Sequence, residues 1–254
     1  MSSSFPDTPP TVAERTRVGM DARTSTPLES LGEYAPAPDR PDPVALLEGQ
    51  SATRVPWLVP VRYGRMLVSP FTFYRGAALL MADDLSRGAR SGLDAQLCGD
   101  AHLSNFGGFA SPERRLVFDI NDFDETNPGP FEWDVKRLVT SMDVAGRDHG
   151  LKKKERAQIV RQTAASYRLA MTQLAALGRL DVWYAGLDVN AALEQFASRL
   201  TAKDAKRTRA NVDKARTRTS MQAATKLTEV VNGRRQFIDN PPLIERAESL
   251  AARG

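Results

Sequence analysis

The spacing of apolar residues changes twice along this chain of 254 residues, and the change limits the folds open to it. From Phe71 to Leu85 apolar side chains recur every three or four residues, which is typical of one face of a helix. Ser69-Pro70 supplies a cap and a first-turn proline for that helix. Short strand-like runs then follow at Asp94–Cys98, Phe106–Ala110 and Leu116–Ile120.

Helical spacing returns after Pro130 and predicts two long amphipathic helices, over about 131–148 and about 152–177. A further helix is predicted near 189–200, and a long basic helix over about 204–231. The sequence therefore predicts an α+β fold that is helix-dominant, with a small β-hairpin among long helices. Residues 1–42 are rich in Pro, Ser and Thr without apolar periodicity, so we expect a disordered tail there and one domain over 43–254.

Composition excludes several classes of protein. One cysteine, Cys98, cannot form an internal disulfide, and with two histidines it cannot build a zinc site. No run of 18 or more apolar residues is present, and the first residues do not resemble a signal peptide. We therefore expect a cytoplasmic protein without a membrane partner.

The net charge of +4 hides a segregation of charge. Residues 92–143 hold ten Asp and Glu against four Lys and Arg, whereas residues 151–218 hold fifteen Lys and Arg against six Asp and Glu. An acidic segment of this kind is costly through self-repulsion unless a cation sits in it. Nucleic acid is not an expected partner of the basic segment, because no aromatic residue lies between Phe196 and Phe237 to stack on bases.

The acidic segment carries the residues that predict chemistry. Asp100 and Asn105 lie in one loop after a strand, and Asp122 and Asp124 follow the next strand at alternate positions. Carboxylate and amide oxygens suit Mg²⁺ or Mn²⁺, and such a site serves phosphoryl transfer or hydrolysis. The alternative is that these residues serve only as turn and cap residues. Arg75 could meet a phosphate or pair with one of the aspartates.

Gly99-Asp100-Ala101-His102-Leu103-Ser104-Asn105 resembles the G-D-x-H-x-x-N catalytic loop of aminoglycoside and choline kinases, in the protein-kinase-like superfamily. The resemblance implies ATP as co-substrate, with a small-molecule or protein acceptor. It implies the following roles: Asp100 as catalytic base, Asn105 and Asp122 as Mg²⁺ ligands, Asp124 as a second ligand or outer partner, and His102 and Asp134 as supports of the loop.

The stretch from Ser69 to Asp143 is also similar to the bacterial family known as domain of unknown function 2252, which similarity places in the kinase-like superfamily. The sequence departs from kinases because it has neither a glycine-rich phosphate loop nor a lysine in a strand-like run. We therefore expect a C-lobe-like catalytic region whose nucleotide lobe is missing or incomplete, truncated at its C-terminal end. A Mg²⁺-dependent phosphotransferase is the leading hypothesis, and an inactive binding module or a metal-dependent hydrolase are the alternatives.

Overall fold

The computed structural model describes residues 10–111, 115–189, 194, 201–217, 220–241 and 244–251. The fold is α+β and helix-dominant, as the sequence predicts. The chain divides into two compact units. The first contains the chain up to Gly107 together with Ile120–Ala185, and the second contains Gly108–Asp119 together with the chain from Gly186 onward.

Most of the helices belong to the first unit. These are α1 (Val12–Ser25), α2 (Leu28–Gly32), α3 (Pro43–Ser51), α4 (Val59–Met66), α5 (Pro70–Gly76), α6 (Ala78–Ser86), α7 (Glu132–Asp148), α8 (Lys153–Ala175) and α9 (Arg179–Tyr184). The second unit contains α10 (Ala202–Thr217), α11 (Ser220–Leu227) and α12 (Ala247–Ala251). No helix in the described part of the chain is both long and apolar enough to cross a membrane.

The strands form three small sheets. Their bounds are β1 (Asp94–Leu97), β2 (Phe106–Ala110), β3 (Leu116–Ile120), β4 (Asn127–Pro130), β5 (Leu187–Asp188), β6 (Thr228–Val231) and β7 (Arg234–Phe237). Strand β1 pairs with β4, the order of the second sheet is β2-β3-β5, and β6 pairs with β7. The three strands predicted from the sequence are confirmed. Strand β4 was not predicted, because two of its four residues are prolines, which strand patterns seldom contain.

The helix predicted from Phe71 to Leu85 is two helices. Ser69 caps α5 as expected, since its side chain accepts a hydrogen bond from the Thr72 N–H. The break falls at Ala77, which is buried beside Met66 in a small core, and the neighbouring Gly76 touches Met66 so closely that a Cβ would lie 2.5 Å from Met66 Cγ. The apolar spacing continues across the break, and the side chains that it aligns in α5 and α6 are partly buried.

The expected disordered tail contains a helix, α1, within residues 1–42. Its N-terminus is stabilised by a capping box between Thr11 and Glu14, a local signal that apolar periodicity does not register. Polar contacts join the neighbouring segment to α6, the strongest being the 2.6 Å ion pair between Arg40 Nε and Asp84 Oδ1. The described helices of this segment, α1 and α2, contain no buried residue, so apolar periodicity gives no signal for them.

The prediction of a helix over 204–231 is also wrong at the C-terminal end of that range. Helix α11 stops at Leu227, and β6 and β7 form a hairpin around Asn232-Gly233, both with positive φ. Asn-Gly favours this turn type, and the β-branched residues before it favour a strand. Most of the helix predicted near 189–200, and the two ends of the basic stretch Arg199–Arg218, lie outside the described residues.

Candidate functional site

The loop that carries Asp100 leaves β1 through a sharp turn at Gly99, whose φ is +82°. Asp134, in the first turn of α7, holds this turn: its Oδ2 accepts the Cys98 N–H at 2.7 Å, and its Oδ1 accepts the Gly99 N–H at 3.1 Å. Burial raises the pKa of the Asp134 carboxyl, and the two N–H donors oppose that shift. The helix thus fixes the backbone next to Asp100.

Asp100 is joined to a buried arginine. Arg137, whose side chain is 3% exposed, places Nε 2.6 Å and Nη2 2.5 Å from Asp100 Oδ1. The same guanidinium donates to the carbonyl of Tyr74 at 2.8 Å and lies 4.4 Å from the centre of the Tyr74 ring. Because Arg137 uses Oδ1, Oδ2 is the oxygen of Asp100 left for other partners.

His102 lies on the other side of Asp100. Its Nε2 is 3.4 Å from Asp100 Oδ2, and its ring packs edge-on against Phe71. Burial lowers the pKa of His102; Arg75 and Arg137 act in the same direction, and Asp100 opposes them. Its Nδ1 is buried without a hydrogen-bond partner among the described residues. These contacts put the His102 ring beside the Asp100 oxygen that Arg137 does not use.

The lowered pKa of His102 predicts a loss of stability in mild acid. The unfolded chain binds a proton at this histidine below about pH 6.5, whereas the folded chain resists it, so the free energy of unfolding should fall as the pH drops below that value. Well above about pH 6.5 His102 is neutral in both states, so its contribution to the free energy of unfolding no longer changes with pH. Urea unfolding between about pH 5 and about pH 8 measures the effect. His102→Gln should flatten the profile, whereas the control His149→Gln at an exposed position should not; equal slopes in both variants would contradict the prediction.

Asn105 is buried and joins the loop to the segment after β3. Its Nδ2 donates to the carbonyl of Asp100 at 3.1 Å and to that of Asp122 at 3.0 Å. The backbone adds a bond from the Asn121 N–H to the Asn105 carbonyl at 2.9 Å. The structure therefore brings together Asp100, Asn105 and the backbone of Asp122, which are 22 residues apart at most in the sequence.

The predicted ligands fit a Mg²⁺ ion only in part. Among the described residues no three His, Cys, Asp or Glu side chains converge to hold a metal. Asp122 Oδ1 accepts the Asp124 N–H at 3.1 Å, which leaves Asn105 Oδ1 and Asp122 Oδ2 as ligand oxygens. Mg²⁺ is commonly held by one or two carboxylates plus substrate phosphates. The described residues therefore do not enclose an ion by themselves.

A cavity of about 790 Å³, here named the site cavity, is lined by Asp100, His102 and Asp122. Asp124 and Asn105 do not line it. The remainder of its wall comes from the segment between α3 and α6, and is a mixture of apolar side chains and arginines. The four arginines are Arg54, Arg62, Arg65 and Arg75. The two carboxylates of the site thus open into a space large enough for a small molecule.

Comparison with known proteins shows the family of the chain. The bacterial family described as "Uncharacterized protein conserved in bacteria (DUF2252)" matches residues 54–253. The chain belongs to this family. The match includes the Asp100 loop, Asp122, Asp134 and every arginine of the site cavity. No curated protein and no solved structure is significantly similar to the chain. None of these comparisons supports the resemblance to kinases, which is carried by the motifs in the sequence.

Sequence reasoning missed three buried residues of α7 that bind the segment before β1 or the Asp100 loop. Glu132 accepts the N–H and the hydroxyl of Ser91, at 2.7 Å and 2.8 Å. Ser141, fully buried, accepts the Leu103 N–H at 2.9 Å. Arg137 binds Asp100 as described above. A signal was available for Arg137, which lies one helical turn after Asp134 and therefore on the same face of α7.

Proposed function

We propose that the chain is a Mg²⁺-dependent phosphotransferase of kinase-like type, which transfers a phosphoryl group from ATP to a hydroxyl of an acceptor. The observation that carries the proposal is the position of Asp100, held at one oxygen by Arg137 and lining the same cavity as Asp122. Phosphoryl transfer depends mostly on positioning and on charge, and needs one base near the acceptor hydroxyl. The site offers these features.

Asp100 would act as the base. The bonds from Arg137 to Oδ1 fix the rotamer of the side chain, so Oδ2 has a defined position. A hydroxyl bound within hydrogen-bond distance of Oδ2 would pass its proton to that oxygen while its own oxygen attacks the γ-phosphorus of ATP. The bond from this phosphorus to the bridging oxygen breaks, and ADP leaves. His102 would position Asp100, since it lies against the same carboxylate.

Asn105 and Asp122 would hold Mg²⁺, which when bound neutralises charge on phosphate oxygens. Asn105 is suited to this role because its Nδ2 is fixed by two carbonyls, which orients the amide. Asp122 is exposed and lines the cavity, so its carboxylate is accessible to a phosphate-bound ion. Asp124 would be an outer partner, because it contacts Asp122 Oδ1 through its backbone N–H.

The order of elements supports the kinase-like assignment. A strand, a loop with Asp100, a short hairpin, the Asp122 turn and a helix with Asp134 near its start follow one another in the chain. This is the order that the kinase motifs imply. The resemblance covers the catalytic loop and the strand end that follows it, while a glycine-rich phosphate loop has no counterpart in the sequence.

The proposal predicts separate effects for the two aspartates. Asp122→Asn should weaken binding of Mg²⁺ with an ATP analogue by roughly 10- to 100-fold in calorimetry, because it removes a metal ligand. Asp100→Asn should keep this binding and lower turnover by roughly 10²- to 10⁴-fold, because it removes the base. Asp94→Asn, an equal change of charge at an exposed position of β1, is the control and should change neither. A wild-type chain that binds no nucleotide with or without Mg²⁺ would refute the proposal.

A binding module without catalysis is the second candidate. It is favoured by the ion pair that occupies one oxygen of Asp100 and by the lack of a glycine-rich phosphate loop in the sequence. Measurement of phosphate release from Mg·ATP by the wild-type chain separates the two, since a binding module would bind the nucleotide without turnover. A metal-dependent hydrolase is less well supported, because no three acidic side chains converge among the described residues.

A further inference from the structure

The lining of the site cavity contains four arginines and only two carboxylates. Arg54, Arg62, Arg65 and Arg75 line the same space as Asp100 and Asp122, and Asp100 is already paired with Arg137 outside that lining. We propose that these arginines form a metal-independent phosphate site, which binds the phosphate groups of a substrate next to Asp100. This inference rests on the proposed function and adds the chemistry of the group that enters the cavity.

The four arginines lack carboxylate partners among the described residues. Within the described parts of the chain, none of the four lies within 4.0 Å of a carboxylate oxygen. Arg40, Arg87, Arg137 and Arg156 are each paired with an aspartate in the same unit. Four other arginines of the first unit thus have a carboxylate partner, whereas the wall of the site cavity presents four guanidinium groups without one among the described residues. Self-repulsion of this kind is relieved by an anion.

Arg62 gives the most specific indication. Its Nη2 donates to the carbonyl of Gly76, which anchors the guanidinium, while its Nη1 is buried without a hydrogen-bond partner among the described residues. Burial and then the neighbouring charge of Arg54 lower the pKa of Arg62. A buried N–H without a partner is costly, and an anion bound beside Arg54 would supply the acceptor.

Guanidinium groups favour phosphate in particular. Their planar N–H donors match the spacing of two phosphate oxygens, and several of them can bind the oxygens of a polyphosphate. Arg75 lies on the side of His102, where its charge contributes to the lowered pKa of that histidine. A phosphate bound by these arginines therefore lies in the same cavity as the proposed base.

The phosphate could come from two sources with the same chemistry. It could belong to the polyphosphate of the nucleotide, in which case the arginines replace the glycine-rich loop and lysine that the sequence lacks. Alternatively it could belong to a phosphorylated acceptor that offers its hydroxyl to Asp100. Binding of inorganic tripolyphosphate tests the shared chemistry, and competition between tripolyphosphate and ATP assigns the source.

The test measures tripolyphosphate binding to the full chain by calorimetry, with a chelator present to remove divalent metal. Arg54→Gln/Arg65→Gln should weaken the affinity roughly tenfold or more, because each exposed guanidinium lost removes a charge-assisted hydrogen bond. Arg161→Gln/Arg168→Gln, on the exposed surface of α8, removes the same charge outside the cavity and is the matched control. It should leave the affinity within about twofold.

No measurable binding by the wild-type chain, or equal weakening in the two double variants, would overturn the inference. Displacement of tripolyphosphate by ATP would support the site and assign it to the nucleotide. Simultaneous binding of both would support it and assign the site to the acceptor. Failure of the proposed function is distinguishable, because a chain that binds tripolyphosphate through these arginines but never turns over Mg·ATP keeps the phosphate site and loses the enzyme.

Discussion

Replacing Gly99 with alanine is expected to destabilise the chain by about 3 kcal/mol, through two costs that act together. Gly99 has a φ of +82°, which costs a residue with a Cβ about 1–2 kcal/mol. An added Cβ would also lie 2.0 Å from the backbone carbonyl oxygen of Glu125. The Glu125 backbone cannot easily retreat, because Thr126 next to it donates to the Leu97 carbonyl at 2.7 Å.

Gly92→Ala is the matched control for this change. Gly92 has a similar φ of +73°, but an added Cβ would meet no atom within 4 Å. Alanine there should cost about 1 kcal/mol, the conformational part alone. Unfolding in urea measures both variants, and the difference between them isolates the contact with Glu125. Equal destabilisation of the two would show that the turn at Gly99 tolerates a side chain, contrary to the close packing described for the loop.

Arg137→Met is expected to cost about 3–5 kcal/mol of unfolding free energy. Methionine preserves much of the volume but removes the donors to Asp100 Oδ1 and to the Tyr74 carbonyl. Removing Arg137 leaves the Asp100 carboxylate largely buried without an opposite charge. The free-energy cost of this unpaired charge is larger than the net contribution of the ion pair to stability. The Asp100 side chain is 21% exposed, so water relieves part of the cost and the lower end of the range is expected.

Arg147→Met is the control on the same helix. Arg147 lies in the last turn of α7, is exposed and forms no ion pair with the described residues. Its replacement should change the free energy of unfolding by less than about 0.5 kcal/mol in the same urea titration. A result for Arg137→Met as small as that for Arg147→Met would mean that Asp100 is not held by this arginine, and it would remove the argument that Oδ2 has a fixed position.

The sequence predicted the elements whose signals are local. Three strands and the helices α7 and α8 follow from runs of apolar residues and from their spacing, because burial of one face imposes the period of the element. The same pattern failed at α1, which depends on a capping box, and at β4, which contains two prolines. It also failed at Ala77, where the same apolar spacing continues from α5 into α6 although the helix breaks.

The candidate site was predicted less completely. The loop motif identified Asp100, His102, Asn105 and Asp134, and the structure brings these residues together. It did not identify Arg137 as the partner of Asp100, and it did not show that Asp122 lines the cavity while Asp124 remains outside. Alternation along a strand predicted one face for both aspartates, but Asp122 and Asp124 lie after β3 in a turn, where alternation no longer applies.

By itself the sequence determined the fold class, the family and the loop that carries the polar residues, because propensity, period and motif are properties of neighbouring residues. Only the tertiary structure decided that Arg137 pairs with Asp100 and that Arg54, Arg62 and Arg75 meet in one cavity. The physical reason is that a charge acts on whatever lies within a few ångströms of it. Which charges come that close depends on how α4, α5 and α7 pack, and their packing is not encoded in the spacing of any one of them.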